Sequence, residues 1–315
     1  MLGAHSNSEL RGDYSRVRAD FTVEQDAAGY SDVDRSLWRR LVRRQTAIAR
    51  RFACSEFIQG LDLLGVGDEI PHLDHVSGFI ASRTGWRLVA VPGFIPDAAF
   101  FAHLAARRFP VSIWVRRPEE IDFLVEPDLF HDFFGHVPML LHPVFADALA
   151  AYGAKGSRAA AAGALPRLAR LYWYTVEFGL IDSSRGLRAY GAGLLSSKSE
   201  TLHSIGSAKP QRLCFDLLRI MRTTYMIDAF QRCYFVLPDF DTLYHAMSED
   251  FGPLYGRLAA LDDIEAASSM PGDRCYSPSR GASGWRSGRA RANASSGAQA
   301  ASMRRSRGQR SSGKP

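Results

Sequence analysis

The amino-acid sequence predicts a mainly α protein of irregular helices with a small β element. Three observations support this class. From residue 128 onward, apolar residues recur mostly at helical spacing. Prolines and glycines interrupt these stretches often, so we expect short helices. Two segments in the first half are rich in the β-branched and aromatic residues that are typical of strands.

The composition is that of an ordinary globular protein. The 315 residues are 46% hydrophobic and 11% aromatic, enough to bury a substantial core in one large domain or two smaller ones. Charges interrupt the apolar runs well before the ~20 residues that a membrane span requires, so we expect no membrane partner. The first twenty residues are charged and contain no continuous apolar stretch, which argues against a secretory signal.

Helical and strand patterns alternate in the first half. Ser31 and Asp32 are good N-caps for a first helix, whose apolar residues lie opposite a face rich in arginine. The other expected elements of this half are helices over 55–64 and 97–108 and strands over 86–91 and 109–115.

The second half is predicted to be mostly helical. Its apolar residues keep helical spacing, and prolines and glycines divide them into segments. The expected helices cover residues 128–140, 144–152, 165–181, 211–234 and 240–260.

Composition also divides the chain into three parts. Residues 1–20 are polar and without periodicity, so we expect a flexible arm before a catalytic body over 21–270. Residues 271–315 contain ten serines, seven glycines and ten basic residues, which predicts a disordered tail. The tail has one acid, Asp273, and a net charge of +9; the chain carries +6, which leaves −3 for residues 1–270. The basic charge therefore belongs to the tail, and the body gives no argument for nucleic-acid binding.

Cysteine usage and the tail bear on compartment and partners. The four cysteines are scattered and form no CxxC pair, which is typical of reduced thiols and favours the cytoplasm. A protein that binds nucleic acid through residues 271–315 remains an alternative of a different class. Charge runs of this kind are more often only solvated, so nucleic acid is not the expected partner.

Two histidines five residues apart and a glutamate some forty residues later are the strongest functional signal. His131 and His136 lie in an aromatic segment, and Glu177 lies in a predicted apolar helix. A carboxylate among apolar residues is costly unless it is paired or bound to a metal. Two imidazoles and one carboxylate can hold ferrous iron on one face and leave its other face open. The pattern therefore predicts an Fe(2+) site.

The histidine spacing leaves alternatives open. Residues five apart differ by about 140° around an ideal α-helix, so both rings reach one ion only if the helix is distorted or begins at His131. Otherwise His131 and His136 are structural residues beside an aromatic cluster. Zinc is the competing metal, because two histidines and a glutamate also serve zinc hydrolases. Asp132, the nearby candidate base for such a hydrolase, points about 100° away from His131, so iron is favoured.

Three ordered blocks then carry a family resemblance. They are Glu126-Pro127-Asp128 through Gly135-His136-Val137-Pro138, Tyr172-Trp173 through Glu177-Phe178-Gly179-Leu180, and Ala189-Tyr190-Gly191-Ala192-Gly193-Leu194-Leu195-Ser196-Ser197. At these blocks the chain resembles the pterin-dependent aromatic amino acid hydroxylases, especially their compact bacterial members that act on phenylalanine. The resemblance spans about residues 24–260.

The resemblance implies the catalytic-domain fold of these hydroxylases and a monooxygenase reaction. It implies Fe(2+) held by His131, His136 and Glu177, which are then also the catalytic residues. It further implies tetrahydrobiopterin or a related tetrahydropterin as the cofactor, and O2 as the cosubstrate. In such a site the protein supplies an open metal face and an oriented pocket, and the cofactor supplies the electrons.

The resemblance also assigns roles around the metal. Arg116 matches the arginine that binds the substrate carboxylate, a task for which a planar guanidinium is suited. Without the family match, Arg116 is better explained as a surface arginine beside Arg117, and Phe100 is equally well a core residue. The implied substrate pocket includes Ser196, Trp173 and Ile227, and the implied pterin contacts are Gly93, Phe94, Ile95, Phe100, Tyr172 and Asp132.

Substrate choice depends on a few positions. Ile227 matches a site that is aliphatic in phenylalanine enzymes of the family and acidic in tyrosine enzymes, so the predicted reaction is L-phenylalanine to L-tyrosine. The same chemistry on tryptophan, or at another ring position of phenylalanine, is the alternative. Leu124 replaces a hydroxyl residue of the animal enzymes, and Asp132 replaces a glutamate.

Because the tail has no heptads, we expect a monomer without the animal-type allostery.

Overall fold

The computed structural model describes residues 11–124 and 126–277, and helices dominate this range. The α-helices are α1 (Asp32–Phe52), α2 (Ser55–Leu64), α3 (Leu73–Thr84), α4 (Asp97–Ala105), α5 (Pro143–Gly153), α6 (Gly156–Ala161), α7 (Leu165–Tyr172), α8 (Ala192–Leu195), α9 (Lys198–Gly206), α10 (Leu217–Arg222), α11 (Phe240–Ser248) and α12 (Phe251–Ala259). The strands are β1 (Arg87–Val91), β2 (Arg108–Ser112), β3 (Leu180–Ser183), β4 (Gly186–Ala189), β5 (Gln211–Cys214) and β6 (Cys233–Leu237). Turns of 3-10 helix cover Tyr14–Arg16, Pro118–Glu120 and Val137–Leu141, and π-helical turns cover His131–His136 and Trp173–Glu177. The predicted class, mainly α with a small β element, is confirmed.

Helix α1 begins where the sequence predicts. The Ser31 hydroxyl accepts a hydrogen bond from the backbone N–H of Asp34, and the Asp34 carboxylate accepts one from the backbone of Ser31. This capping box satisfies two N–H groups that an open helix end would leave without partners. Leu37, Trp38 and Leu41 then form the buried face of the helix.

The two predicted strands of the first half form a parallel pair. Register runs from Arg87 opposite Arg108 to Val91 opposite Ser112, and α4 connects β1 to β2. The helix ends three residues earlier than predicted. Arg107 has a φ of 54°, in the left-handed region, which stops the helix and turns the chain into β2.

A second sheet, which the sequence analysis did not predict, has the order β4-β3-β6-β5. Strand β3 pairs antiparallel with β4 and parallel with β6, and β6 pairs parallel with β5. The predicted helix over 211–234 is therefore wrong, because only the short α10 forms there. All five residues of β6 are buried, and a strand buried on both faces is a continuous apolar run that resembles a buried helix in sequence.

Other helical predictions are confirmed with changed boundaries. Helix α5 matches the predicted segment 144–152, and the predicted 240–260 is divided into α11 and α12. Asp250 makes the division, since its carboxylate accepts a hydrogen bond at 2.9 Å from the backbone of Gly252 and caps α12. The predicted helix over 165–181 becomes α7, a π-helical turn and then β3.

The described end of the predicted N-terminal arm is bonded to the body. The Tyr14 hydroxyl donates a hydrogen bond to the Phe94 carbonyl at 2.9 Å, and Asp20 forms an ion pair with Arg108 at 3.2 Å. Residues 1–10 of that arm lie outside the described residues.

The first residues of the predicted tail also contact the body, which composition alone did not indicate. Asp273 pairs with Arg219 at 2.9 Å, and the Tyr276 hydroxyl donates to the Asp182 carboxylate at 2.7 Å. Arg219 is buried and needs a carboxylate partner, and Asp273 supplies it. The rest of the predicted tail, residues 278–315, lies outside the described residues, and its assignment stays a prediction.

Aromatic packing positions the segment that carries the two histidines. Trp38 of α1 meets Phe130 edge to face with ring centroids 5.8 Å apart, and Phe57 of α2 meets Phe134 at 6.0 Å. All four side chains are fully buried. Helices α1 and α2 therefore hold the outer side of the first π-helical turn, and its histidines face the opposite way.

One further finding concerns membranes. Within the described ranges, no single helix has the length and apolar character needed to cross a bilayer. One pair of helical segments, His131–Leu141 and Pro143–Ala161, meets these criteria together, with a bend of 114° between them.

Candidate active site

The first π-helical turn explains the spacing of the two histidines. Its hydrogen bonds join residues five apart rather than four, so His131 and His136 occupy neighbouring positions on one side of the turn. Their ring centroids are 5.2 Å apart. The distortion that the histidine spacing requires is therefore present.

The second π-helical turn presents the carboxylate. The backbone N–H of Phe178 donates to the carbonyl of Trp173, five residues earlier, at 2.8 Å. Glu177 Oε1 lies 3.2 Å from His136 Nε2, and Glu177 Oε2 lies 3.5 Å from His131 Nε2. One donor atom from each of the three residues lies within 4.8 Å of the other two. Since metal bonds to such donors are about 2.0–2.2 Å long, the three side chains fit one ion.

Burial and charge shape the protonation of this trio. The exposed fraction of the side chain is 15% for His131, 4% for His136 and 14% for Glu177. Burial alone would raise the pKa of Glu177, but the two imidazoles outweigh it and hold this pKa below its ordinary value. Burial acts to lower the pKa of His131, and the Glu177 carboxylate raises it above 6.5. The Glu177 carboxylate thus favours positive charge at the two histidines or on a cation between them.

Further bonds fix the orientation of His131. Its Nδ1 lies 2.8 Å from the Ser196 hydroxyl, at the end of α8, and its backbone N–H donates to Asp128 at 3.0 Å. A bond at the second ring nitrogen sets the plane of a metal-binding histidine. Predicted residue Ser196 therefore touches a candidate metal ligand directly.

Arg116 is held by a partner that the sequence analysis did not assign. Its Nε and Nη2 donate to the two carboxylate oxygens of Asp128 at 2.9 and 2.8 Å, and both side chains are buried. Burial would raise the pKa of Asp128, but Arg116 lowers it below the ordinary 3.8. Asp128 belongs to the first block of the family resemblance, three residues before His131. That position in the block is the sequence signal that could have identified it. The pair fixes the guanidinium and connects it to the first π-helical turn, because Asp128 also bonds the backbone of His131.

One cavity of about 1200 Å³ gathers every residue that the sequence analysis predicted for the site. These residues are Gly93, Phe94, Ile95, Phe100, Arg116, His131, Asp132, His136, Tyr172, Trp173, Glu177, Ser196 and Ile227. They come from seven separate stretches of the described chain. Their individual roles stay predictions, but their convergence on one space is a property of the fold.

The wall near Trp173 is aromatic. Tyr225 stacks on the indole with centroids 4.2 Å apart at an angle of 16°, and Phe178 lies at 4.5 Å. Ile227 lines the cavity from the loop after Tyr225 and is 54% exposed. The sequence did not indicate Tyr225 or the buried Gln231, which also line this wall, because neither residue type carries a distinctive spacing signal.

The region predicted to bind the pterin lies on another part of the cavity. Gly93 has a φ of 152°, a backbone conformation that strains residues with a side chain, and a Cβ there would lie 2.5 Å from Glu126 Oε1, so glycine suits this position. Phe100 meets Tyr172 edge to face at 5.5 Å. Asp132 accepts a hydrogen bond from the backbone N–H of Ser112 at 2.8 Å, which attaches the first π-helical turn to β2.

Comparison with known proteins assigns the family. The family model described as "Biopterin-dependent aromatic amino acid hydroxylase" matches residues 11–252. The chain belongs to this family. Among similar proteins, this hydroxylase is 52% identical over 262 residues to the phenylalanine-4-hydroxylase of Ralstonia nicotianae, covering 83% of this chain and 84% of that one. It is 35% identical over 226 residues to the tryptophan 5-hydroxylase of Xenopus laevis, covering 70% of this chain and 46% of that one.

Solved structures agree with the fold of the hydroxylase. The iron- and phenylalanine-bound phenylalanine hydroxylase of Chromobacterium violaceum has a TM-score of 0.79 at 50% identity, covering 83% of this chain and 96% of that one. The cobalt-bound form of the same protein has a TM-score of 0.81 at 50% identity, covering 83% and 95%. The predicted catalytic-domain fold of the aromatic amino acid hydroxylases is thereby confirmed.

Proposed function

We propose that this hydroxylase converts L-phenylalanine to L-tyrosine with O2, Fe(2+) and tetrahydrobiopterin or a related tetrahydropterin. The observation that carries the proposal is the buried trio of His131, His136 and Glu177, which opens on the same cavity as Arg116. The identity of 52% to a phenylalanine-4-hydroxylase over most of both chains supports it. Membership of a biopterin-dependent hydroxylase family also argues against the zinc hydrolase alternative.

The trio is proposed to hold the iron. An Fe(2+) ion bound there supplies the O2 chemistry together with the reduced pterin. The protein orients the ligands and shields them: Ser196 orients His131, and burial restricts access of bulk water to the ligand atoms. Three protein ligands leave positions for other molecules on the metal.

Arg116 is proposed to bind the carboxylate of the amino acid. Asp128 accepts hydrogen bonds from its Nε and Nη2, so the guanidinium is fixed in direction. The wall of Trp173, Tyr225 and Ile227 then offers an apolar surface to the ring of the substrate. Ile227 keeps this part of the wall apolar, which supports phenylalanine over tyrosine.

The pterin is proposed to lie against Gly93, Phe94 and Ile95. Their backbone borders the cavity, and Phe100 provides an aromatic surface on the same side. Tyr172 and Asp132 line the space between this segment and the metal trio. These contacts are carried over from the family resemblance.

The deciding experiment is anaerobic loading with Fe(2+), followed by addition of phenylalanine, tetrahydrobiopterin and O2. We expect tyrosine, identified by chromatography against its ring-position isomers, and no turnover when pterin is left out. A parallel assay with tryptophan tests the substrate alternative. Failure to form any hydroxylated amino acid with full iron occupancy, or hydrolytic activity with zinc alone, contradicts the proposal.

We also propose that the hydroxylase works as a monomer in the cytoplasm. Cys54, Cys214, Cys233 and Cys275 are all free thiols, which supports a reducing compartment. Light scattering during size-exclusion chromatography tests the oligomeric state, and a mass of twice 34.8 kDa would contradict it.

A further inference from the structure

Gln231 is a buried amide that the proposed chemistry does not use. Its side chain is at the wall of the cavity, and the residue is 2% exposed. The Oε1 atom accepts a hydrogen bond from Trp173 Nε1 at 3.0 Å. The Nε2 group donates to the carbonyls of Met226 at 2.6 Å and Ala229 at 3.3 Å. One side chain thus binds both the indole and the loop that carries Ile227.

The backbone of Gln231 is held equally firmly. Its N–H donates to the Glu200 carboxylate at 3.2 Å, and the same oxygen accepts a bond from the Tyr234 hydroxyl at 2.6 Å. Its carbonyl lies 3.3 Å from Nε2 of His203. Helix α9, which carries Glu200 and His203, therefore anchors the point from which the side chain reaches the cavity.

Both ends of the loop over residues 225–231 meet Trp173. Tyr225 stacks on the face of the indole, and Gln231 bonds to its N–H edge. Trp173 is also the first residue of the π-helical turn that ends at Glu177. Trp173 therefore connects this wall to the proposed metal site. Gln231 fixes the position of Trp173 relative to the loop.

We propose that Gln231 is a positioning residue for the substrate ring: it holds Trp173 and the loop over residues 225–230 as one wall, and so controls how phenylalanine is bound and presented to the metal. This inference rests on the proposed function. A buried amide with all its polar groups bonded is costly to replace by an apolar group, because its partners lose their bonds. The indole N–H and the two loop carbonyls are those partners here.

The test compares Gln231→Leu with Gln231→Glu. The leucine variant loses all three side-chain bonds, to Trp173, Met226 and Ala229. We expect the KM for phenylalanine to rise roughly tenfold, since a net loss equivalent to about one hydrogen bond corresponds to that factor. We also expect a smaller share of oxidised pterin to yield tyrosine, because the ring is held less firmly. The glutamate variant keeps an acceptor for Trp173 but turns an oxygen toward the carbonyls of Met226 and Ala229, so its KM for phenylalanine should also rise above that of the wild type. The KM for tetrahydropterin should not change.

Gln211→Leu is the matched control. This residue also loses amide bonds on substitution, to Ala267 and Ser269, but it lies on β5 and does not line the cavity. Its KM for phenylalanine should equal that of the wild type. Trp173→Phe, which removes the N–H and keeps an aromatic ring, should make the further change Gln231→Leu much less damaging.

The outcomes separate this inference from the proposed function. If the wild type makes no tyrosine, the proposed function falls. If the wild type is active and Gln231→Leu has an unchanged KM and tyrosine yield, only the role of Gln231 is contradicted. Equal losses toward phenylalanine and pterin contradict it as well, since they indicate a general loss of structure. Should Gln231→Leu not fold, Gln231→Glu and Trp173→Phe decide, and wild-type values for both overturn the inference.

Discussion

Glu177 lies between two imidazoles at a place that solvent scarcely reaches. A buried carboxylate without a counter-charge is strongly unfavourable, so this position demands a cation or charged histidines. His131 and His136 provide nitrogen donors on the same side of the carboxylate. At the scale of single residues, the requirement for charge neutralisation is the physical reason to assign these three as metal ligands.

Replacing any one ligand should remove the metal without unfolding the protein. We expect His131→Ala, His136→Ala and Glu177→Ala each to bind little iron and to form almost no tyrosine, because two remaining donors bind the ion weakly. Metal analysis, circular dichroism and the hydroxylation assay measure these effects. His75→Ala, at an exposed histidine of α3, should behave as the wild type. Full iron content in a ligand variant would contradict the assignment.

Arg116→Ala should affect both binding and stability. The KM for phenylalanine should rise, because the proposed carboxylate contact is lost. The free energy of unfolding should fall by about 3–5 kcal/mol, because Asp128 would remain as a buried charge without a partner. Steady-state kinetics and urea unfolding measure the two effects. Arg117→Ala, at the exposed neighbour, is the control, and an unchanged KM in Arg116→Ala would refute the carboxylate role.

Two π-helical turns bring the ligands together. Each turn contains at least one ligand, and each is continuous with ordinary helix or 3-10 helix on one side. An α-helical turn in place of the first would rotate His136 by about 140° from His131 and divide the site. The conformation of the backbone in these turns is therefore part of what forms the candidate metal site.

Gly135→Ala tests the packing of the first π-helical turn. A Cβ at this position would lie 2.9 Å from Ala192 Cβ and 3.0 Å from the Ala192 carbonyl, so α8 or the turn must move. We expect a loss of about 1–3 kcal/mol in the free energy of unfolding, together with weaker iron binding. Gly78→Ala in α3, where a Cβ meets no atom within 4 Å, should instead stabilise the protein by roughly 0.5–1 kcal/mol. Similar urea midpoints for the two variants would contradict this account.

For the whole molecule, the chain after residue 270 completes the body. Asp273 pairs with the buried Arg219, and Tyr276 bonds to Asp182 of β3. A truncation after residue 277 should leave hydroxylation and stability unchanged. A truncation after residue 270 should lower the free energy of unfolding by roughly 1–3 kcal/mol, because Arg219 loses its partner. Thermal unfolding of both forms measures this difference, and loss of hydroxylation in the longer form would implicate the tail in function.

Acid should weaken the folded state by protonating carboxylates that pair with arginines. Burial would raise the pKa of Asp273, but Arg219 holds it below the ordinary 3.8, and hydrogen bonds from Arg170 lower the pKa of Asp263. A lowered folded pKa contributes stability above 3.8 that is lost as the pH falls through the folded value. The urea midpoint should therefore drop below pH 3.8. Asp273→Asn should be less stable at neutral pH and lose less in acid; an equal loss would contradict the role of this pair.

The sequence alone predicted the chemistry and much of the helical structure. Residue type and spacing identified His131, His136 and Glu177, since few side chains bind metals and a carboxylate in an apolar segment is conspicuous. Local signals also located α1 through its Ser31 cap, because capping depends on residues only a few positions apart. The family resemblance supplied the other predicted residues of the cavity.

Only the tertiary structure decided which residues support that chemistry. The pairing of Arg116 with Asp128, the bonds of Gln231 and the second sheet all join segments that are separated along the chain. Strand β6 has no pattern of its own, since both its faces are buried and its apolar run is compatible with a helix. Hydrogen bonds and packing between distant segments depend on where the backbone places those segments, and a short stretch of sequence does not specify this placement.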